Sequence, residues 1–298
     1  MSFSQEVKEE LSRHVPSARH CQLAELAAIL SFLCKLTTKG KETVLILDTE
    51  SPLTLQKYFT LLSKTLSINK DKKVISGQQA LDVLETVKMW KNTGENPGCR
   101  LDVVDGILLQ QTCCKRAFIR GAFLASGSIS DPTKAYHMEV VCRTQAQASQ
   151  LQETMNTFEV DAKIVRRKQH YVVYLKEGAQ IVDMLNVMEA HVALMNLENV
   201  RILKEMRNSV NRKVNCETAN IGKTVSAAVR QVDDIRLIQE RMGLSALPES
   251  LQEIAAARLE NPDMPLKDLG KLLDPPVGKS GVNHRLRRIS EIAERLKR

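Results

Sequence analysis

The sequence predicts an α+β protein: one domain of two pseudo-symmetric α/β repeats, followed by an all-α helix-turn-helix domain. Three observations carry that expectation. Two helical segments, 21–36 and 113–128, are apolar on nearly every face and need partners other than water. The elements around them recur in the same order. Beyond about residue 195 strand-formers thin out, and helices punctuated by Pro and Gly take over.

The first copy opens with CQLAELAAILSFLCKL (21–36) as a buried helix, then TVLILDT (43–49) as a strand and LTLQKYFTLLSKTL (53–66) as an amphipathic helix. A short stretch around Val74 and Ile75 leads into a helix over 79–90, and KNTGENPG (91–98) is a turn-rich break. The second copy runs likewise. CCKRAFIRGAFLASGS (113–128) is a helix, YHMEVVCRT (136–144) a strand and AQASQLQETMNTF (146–158) a helix. Residues 162–176 form a hairpin whose strands are separated by the polar Arg166–His170, and 179–190 is a helix. Matching Leu33 to Ser126 gives an offset of 93, and matching Leu66 to Val160 gives 94. Matching Leu81/Asp82 to Val182/Asp183 gives 101, so the first copy is shorter by about seven residues, and the deletion falls on its hairpin. The two apolar helices are expected to pair about a pseudo-twofold axis.

The expected boundaries are 1–110 and 111–195 for the two repeats, 196–245 for a helical basic connector, and 246–298 for the helix-turn-helix. The connector carries RNSVNRKVN (207–215), with Arg207, Arg212 and Lys213.

A net charge of +8 favours an anionic partner, though 26% charged residues is ordinary, so the placement of charge matters more than its sum. Seven cysteines in 298 residues make no disulfide framework. They show no C-x-x-C and no paired Cys/His spacing, and adjacent Cys113 and Cys114 point apart on most backbones. Reduced, mostly buried thiols and no metal or cofactor are therefore expected. The N-terminus lacks the basic and apolar regions of a signal peptide, and no stretch nears the ~18 apolar residues of a membrane span.

The C-terminal segment carries the functional signal. Val282, Leu286, Ile289, Ala293 and Leu296 form one apolar stripe at helical spacing. Off that stripe lie Asn283, His284, Arg285, Arg287 and Arg288, and no acidic residue occurs from Pro275 through Ser290. Ser280 is expected to cap the helix, with Lys279 beside it. A short Leu-rich helix (266–273) and the connector DPPVGK precede it, which is the plan of a helix-turn-helix. Arg reads guanine edges bidentately, Asn reads adenine, and Lys or Ser holds phosphate, so the expected partner is double-stranded DNA.

Other signals fall away. IGKT (221–224) lacks the first glycine of a phosphate loop, with Glu217 there, and no strand precedes it. VGKSG (277–281) has Lys271 and Leu272 where glycine-rich backbone belongs. His170 and His191 have no nearby ligand set, and no G-x-S-x-G elbow is present.

Three strings, CCKRAFIRGAFLASGSISDP with YHMEV, RNSVNRKVNCETAN and KSGVNHRLRRI, together resemble the WhiA family of bacterial regulators over essentially the whole chain. The resemblance implies a degenerate LAGLIDADG homing-endonuclease-like domain joined to a helix-turn-helix, with sheets forming a DNA-facing saddle. It also implies a cytoplasmic, nucleoid-associated protein of a Gram-positive bacterium, tied to sporulation or cell division and to transcription. A sigma factor or division protein is the protein partner it suggests. A nuclease of this fold keeps a carboxylate at the end of each paired helix to hold the metal that activates water. Here those positions align with Leu33 and Ser126, which cannot bind a hard cation, so the expectation is no enzyme. Cys34 replaces the glycine of the motif in the first copy. The competing readings are a metal-dependent nuclease with displaced carboxylates, for example Asp131, Asp48 or Glu50, and a protein-interaction scaffold tethered to DNA by the helix-turn-helix.

Overall fold

The computed structural model describes residues 2–39, 42–68, 72–91, 98–99 and 101–297. The turn-rich break expected at 91–98 falls, over 92–97, outside the described residues. The chain divides into two compact units, Met1–Lys204 and Glu205–Arg298.

In the first unit, helix α1 (Phe3–Arg13) is capped by Ser2, whose side chain accepts from the Gln5 N–H at 3.2 Å. The first repeat is α2 (Arg19–Leu33), β1 (Cys34–Lys39), β2 (Glu42–Leu47), α3 (Pro52–Leu66), β3 (Val74–Ser76) and α4 (Gln78–Thr86). A two-residue ladder, β4 (Trp90–Lys91) with β5 (Gly98–Cys99), leads on to the second repeat. That repeat is α5 (Thr112–Ser126), β6 (Gly127–Ile129), β7 (Met138–Cys142), α6 (Gln145–Asn156), β8 (Lys163–Arg167), β9 (His170–Leu175) and α7 (Gly178–Met188).

The paired helices α2 and α5 start and end 93 residues apart, as the repeat offset requires. From Ala24 to Leu33 every residue of α2 is buried, which is why the segment shows no polar face. At the crossing, a Cβ on Gly121 would stand 2.6 Å from the Glu25 carbonyl oxygen and 2.8 Å from the Ala28 Cβ, so only glycine permits this approach. The two repeats thus share one core.

Both apolar helices end sooner than the expected residues 36 and 128. They stop at Leu33 and Ser126, and the chain turns directly into β1 and β6, two strands that the expected helices had absorbed. The sheets are antiparallel, β1-β2-β3 in the first repeat and β6-β7-β9-β8 in the second. Among the described residues the first sheet has no counterpart of β8, which is where the shortening was expected. The hairpin turn is tighter than Arg166–His170 suggested. Arg166 pairs with Tyr171 and Arg167 with His170, leaving the turn to Lys168, at φ 55°, and Gln169.

Helix α8 (His191–Arg241) runs from the first unit into the second as one element. The second unit continues with α9 (Glu249–Glu260), α10 (Leu266–Leu269) extended by a 3-10 turn over Gly270–Leu272, and α11 (Lys279–Lys297). Its core gathers Ile235 and Ile238 of α8, Ile254 of α9, Leu269, and the α11 stripe Val282, Leu286, Ile289 and Ala293. The connector of α10 and α11 folds back so that the Val277 N–H donates to the Gly270 carbonyl at 2.9 Å. A Cβ on Gly270 would fall 2.0 Å from the Val277 carbonyl oxygen. That contact lets a connector longer than the simplest turn still close the motif.

Candidate nucleic-acid interface and the two ends of the paired helices

On α11 the buried stripe fixes which side faces out. Lys279, Ser280, Asn283, His284, Arg287 and Arg288 are all exposed. Arg285 is not free in the same way: its guanidinium donates to the Ser250 carbonyl at 3.4 Å and lies 3.7 Å from a Glu253 carboxylate oxygen. Ser280 does not cap the helix. The helix begins one residue earlier, and the Gly278 carbonyl accepts the Val282 N–H at 3.0 Å, which puts Ser280 inside the first turn. Its hydroxyl there still faces outward, next to N–H groups that α11 leaves open to an anion.

Beside this face lies a groove of about 450 Å³ lined by Lys223, Thr224, Lys267, Lys279 and Asn283, with Arg258 and Asp263 at its wall. The Arg258 guanidinium is spent internally, donating to the Asn261, Pro262 and Met264 carbonyls at 3.3, 3.2 and 2.7 Å. Lys223 belongs to the IGKT string, which lies in the interior of α8; its backbone serves helix hydrogen bonds and not a phosphate loop. Arg207, Arg212 and Lys213 are exposed on the same helix.

In the first unit, the C-terminal ends of α2 and α5 hold Leu33 and Ser126, the two positions where the sequence resemblance expects a nuclease's carboxylates. Leu33 is buried, and the Ser126 hydroxyl donates to the Val141 carbonyl at 2.7 Å. The surrounding groups are of mixed charge, with Lys35, Arg143 and Asp102 lining one cavity and the Asp48 N–H donating to the Leu33 carbonyl at 3.0 Å. The Arg143 guanidinium donates to the Cys34 carbonyl at 3.0 Å, and the Gln147 amide donates to Ser31 at 3.0 Å, tying one repeat to the other. Cys34 occupies the glycine position without strain, at φ −80°, whereas a Cβ on Gly127 would meet the Phe123 ring at 2.3 Å.

The displaced carboxylates do not converge. Asp48 is paired with Lys35 at 2.6 Å, a hydrogen bond that holds its carboxyl below the ordinary range. Glu50 pairs with Lys73 at 3.2 Å. Asp131 accepts from the Thr133 hydroxyl and N–H at 2.7 and 2.8 Å. Among the described residues, the one group of three or more metal-ligating side chains contains none of them.

That group is at the opposite, N-terminal ends of the paired helices: His20, Cys21, Cys113 and Cys114, with ligand atoms all within 4.8 Å of one another. The expectation that Cys113 and Cys114 point apart is therefore corrected. Both sit in the first turn of α5, close to the crossing, where His20 and Cys21 of α2 meet them. Burial, aided by hydrogen bonding with Cys113, pushes the Cys21 thiol up to about 12. The signal was in the sequence: His20 and Cys21 lie 93 residues before Cys113 and Cys114, the repeat offset itself. Spacing rules for linear motifs could not find a pair of pairs that only a pseudo-twofold axis brings together.

Comparison with known proteins agrees with this architecture. Residues 19–81 match the WhiA N-terminal LAGLIDADG-like domain, 115–207 the WhiA LAGLIDADG-like domain, and 210–293 the WhiA C-terminal HTH domain. The chain is 53% identical to the "Probable cell division protein WhiA" of Lachnoclostridium phytofermentans, each chain covered in full. It is 48% identical to the protein of the same name from Lachnospira eligens, covering 100% of this chain and 98% of that one. Among solved structures, the full-length DUF199/WhiA of Thermotoga maritima superposes with a TM-score of 0.58 at 26% identity, covering 99% of both chains. Matched from residue 19 to residue 293 by the three domain models, and in full by relatives near half identity, the chain belongs to the WhiA family.

Proposed function

We propose that this chain is a non-catalytic, double-stranded-DNA-binding regulator of transcription, acting in cell division or sporulation of a Gram-positive bacterium at the nucleoid. The observation that carries the reading is the outward face of α11: Lys279, Ser280, Asn283, His284, Arg287 and Arg288, exposed together with no acidic side chain between Pro275 and Ser290. A helix held rigidly by its buried stripe, with such a face at its N-terminal half, suits the major groove. Arg287 and Arg288 supply charge to phosphate or guanine, and Asn283 can discriminate adenine. Arg207, Arg212 and Lys213 on α8 supply further cations toward phosphate. The relatives named for cell division support the physiological half of the reading.

The test is binding to promoter fragments by fluorescence anisotropy across a salt series. The Arg287→Ala/Arg288→Ala variant is expected to bind more weakly, with a log–log salt slope lower by about two, roughly one per lost phosphate contact. Arg285→Ala, whose side chain is committed to Glu253 and Ser250, is expected to change the slope much less. Unchanged affinity and slope in the double variant would remove α11 as the reading element.

A further inference from the structure

We infer that the N-terminal ends of α2 and α5 form a structural zinc site with a His1Cys3 ligand set: His20 and Cys21 from one repeat, Cys113 and Cys114 from the other. The geometry is close to what the ion requires. The His20 Nδ1 lies 3.2 Å from the Cys114 sulfur, 3.3 Å from the Cys21 sulfur and 3.9 Å from the Cys113 sulfur. Tetrahedral zinc with Zn–S of about 2.3 Å and Zn–N of about 2.0–2.1 Å sets N···S near ~3.6 Å and S···S near ~3.8 Å. The four donors already span no more than 4.8 Å, so small side-chain rotations bring them onto one ion.

The surroundings fit a thiolate centre. Each repeat contributes the second and third residues of its helix, and neither helix has a side-chain cap at its start, with Ala18 and Gln111 in those positions. Two helix N-termini therefore direct positive dipole ends at the sulfurs, which offsets part of the cost of gathering thiolates around one ion. Three thiolates and one imidazole around Zn²⁺ leave a net charge of −1, and Arg116 lines the same groove. The donor set also chooses the metal. Soft sulfur with one imidazole in a closed four-coordinate arrangement suits zinc, and it excludes the hard magnesium or calcium a nuclease would use. Four protein ligands leave no open position, so the site is structural. It clamps the two repeats together beside the small apolar patch of Cys21, Ala24, Cys114 and Ala117.

The experiment is metal analysis of the full-length chain, purified under reducing conditions, with Co²⁺ substitution as the spectroscopic probe. Expected are about one zinc per chain and, with cobalt, thiolate charge-transfer bands together with the intense visible bands of tetrahedral coordination. His20→Cys is expected to keep the metal with a shifted cobalt spectrum. Cys113→Ser, an exposed position, is expected to lower affinity at least tenfold while far-UV circular dichroism stays native. Removing zinc by chelation is expected to lower the unfolding midpoint reported by Trp90, the chain's one tryptophan, which packs on the core of the first unit. Three results would overturn the proposal: less than a tenth of an equivalent of zinc both as purified and after reconstitution, a weak octahedral cobalt spectrum, or full zinc occupancy in Cys113→Ser/Cys114→Ser.

Discussion

Replacing Glu25 with glutamine removes the carboxylate on which two buried cations converge. Glu25 is fully buried, with Oε1 lying 2.9 Å from the Lys57 ammonium and 3.0 Å from Arg120 Nε, while Oε2 accepts from Arg120 Nη2 at 3.3 Å. The Lys57 ammonium also donates to the Leu11 and His14 carbonyls, and Arg120 donates to the Met188 carbonyl and pairs with Glu189. With Glu25 neutral, the four-charge cluster goes from balanced to one uncompensated positive charge in the core. Breaking a buried pair this way costs roughly 3–5 kcal/mol, a large share of a total stability of about 5–15 kcal/mol. For a unit of this size that is on the order of 6–20 °C in the midpoint. Urea unfolding followed by Trp90 reads the first unit selectively. The loss should also depend on pH. Burial holds Lys57 below its ordinary 10.5, with the Glu25 charge opposing the shift, so removing Glu25 drives it lower still. A lysine whose folded pKa lies below its unfolded value leaves the unfolded chain binding more protons between the two. The variant therefore bears the full penalty at neutral pH and regains stability as pH rises through the folded pKa toward 10.5. A loss below about 1 kcal/mol, or one that does not change between about pH 7 and 10, would refute the reasoning.

Three further outcomes follow from single contacts. Gly121→Val forces a Cβ to within 2.6 Å of the Glu25 carbonyl oxygen, so the first unit should lose about 3 kcal/mol, the upper end of overpacking costs, by the same tryptophan assay. Gly270→Ala meets the Val277 carbonyl at 2.0 Å; it should weaken DNA binding through the second unit while the Trp90 transition stays put. Ser126→Ala removes one hydrogen bond to Val141 and should cost about 1 kcal/mol of stability with no change in DNA affinity, and plasmid held with Mg²⁺ should stay supercoiled for both proteins.

What the sequence made legible was whatever rests on local periodicity. The α11 stripe and its basic face follow from helical spacing alone, and the two apolar helices had to be buried somewhere. The repeat offset then said that they meet each other. The ends of those helices were less legible, because Cys34 and Leu36 extend the apolar pattern past Leu33, and the three-residue strand Gly127–Ile129 is too short to show a period of two. Capping at Ser280 failed for a related reason: Gly278 supplies the helix start with its own carbonyl, and residue preference cannot see the backbone turn made by Val277 against Gly270. The commitment of Arg285 to Glu253 was hidden too, since α9 and α11 are brought together only by the shared core around Ile254 and Ile289.

The paired helices have two ends, and the chemistry of the chain is distributed between them by one symmetry. A pseudo-twofold axis brings every residue near it to its partner 93 positions away, so whatever stands at one helix end is doubled there. At the C-terminal ends this doubling would give a nuclease its two carboxylates; here it joins Leu33 to Ser126, with Arg143 bound to the Cys34 carbonyl nearby. At the N-terminal ends the same doubling turns two adjacent ligands into four. A lone His-Cys or Cys-Cys dipeptide supplies two ligands where a closed tetrahedral site needs four. Two such dipeptides facing each other across an axis do not need to converge individually, only to present one tetrahedral edge apiece. One symmetry thus serves both ends of the paired helices: it sets Leu33 against Ser126 at one end and gathers four ligand atoms within 4.8 Å at the other.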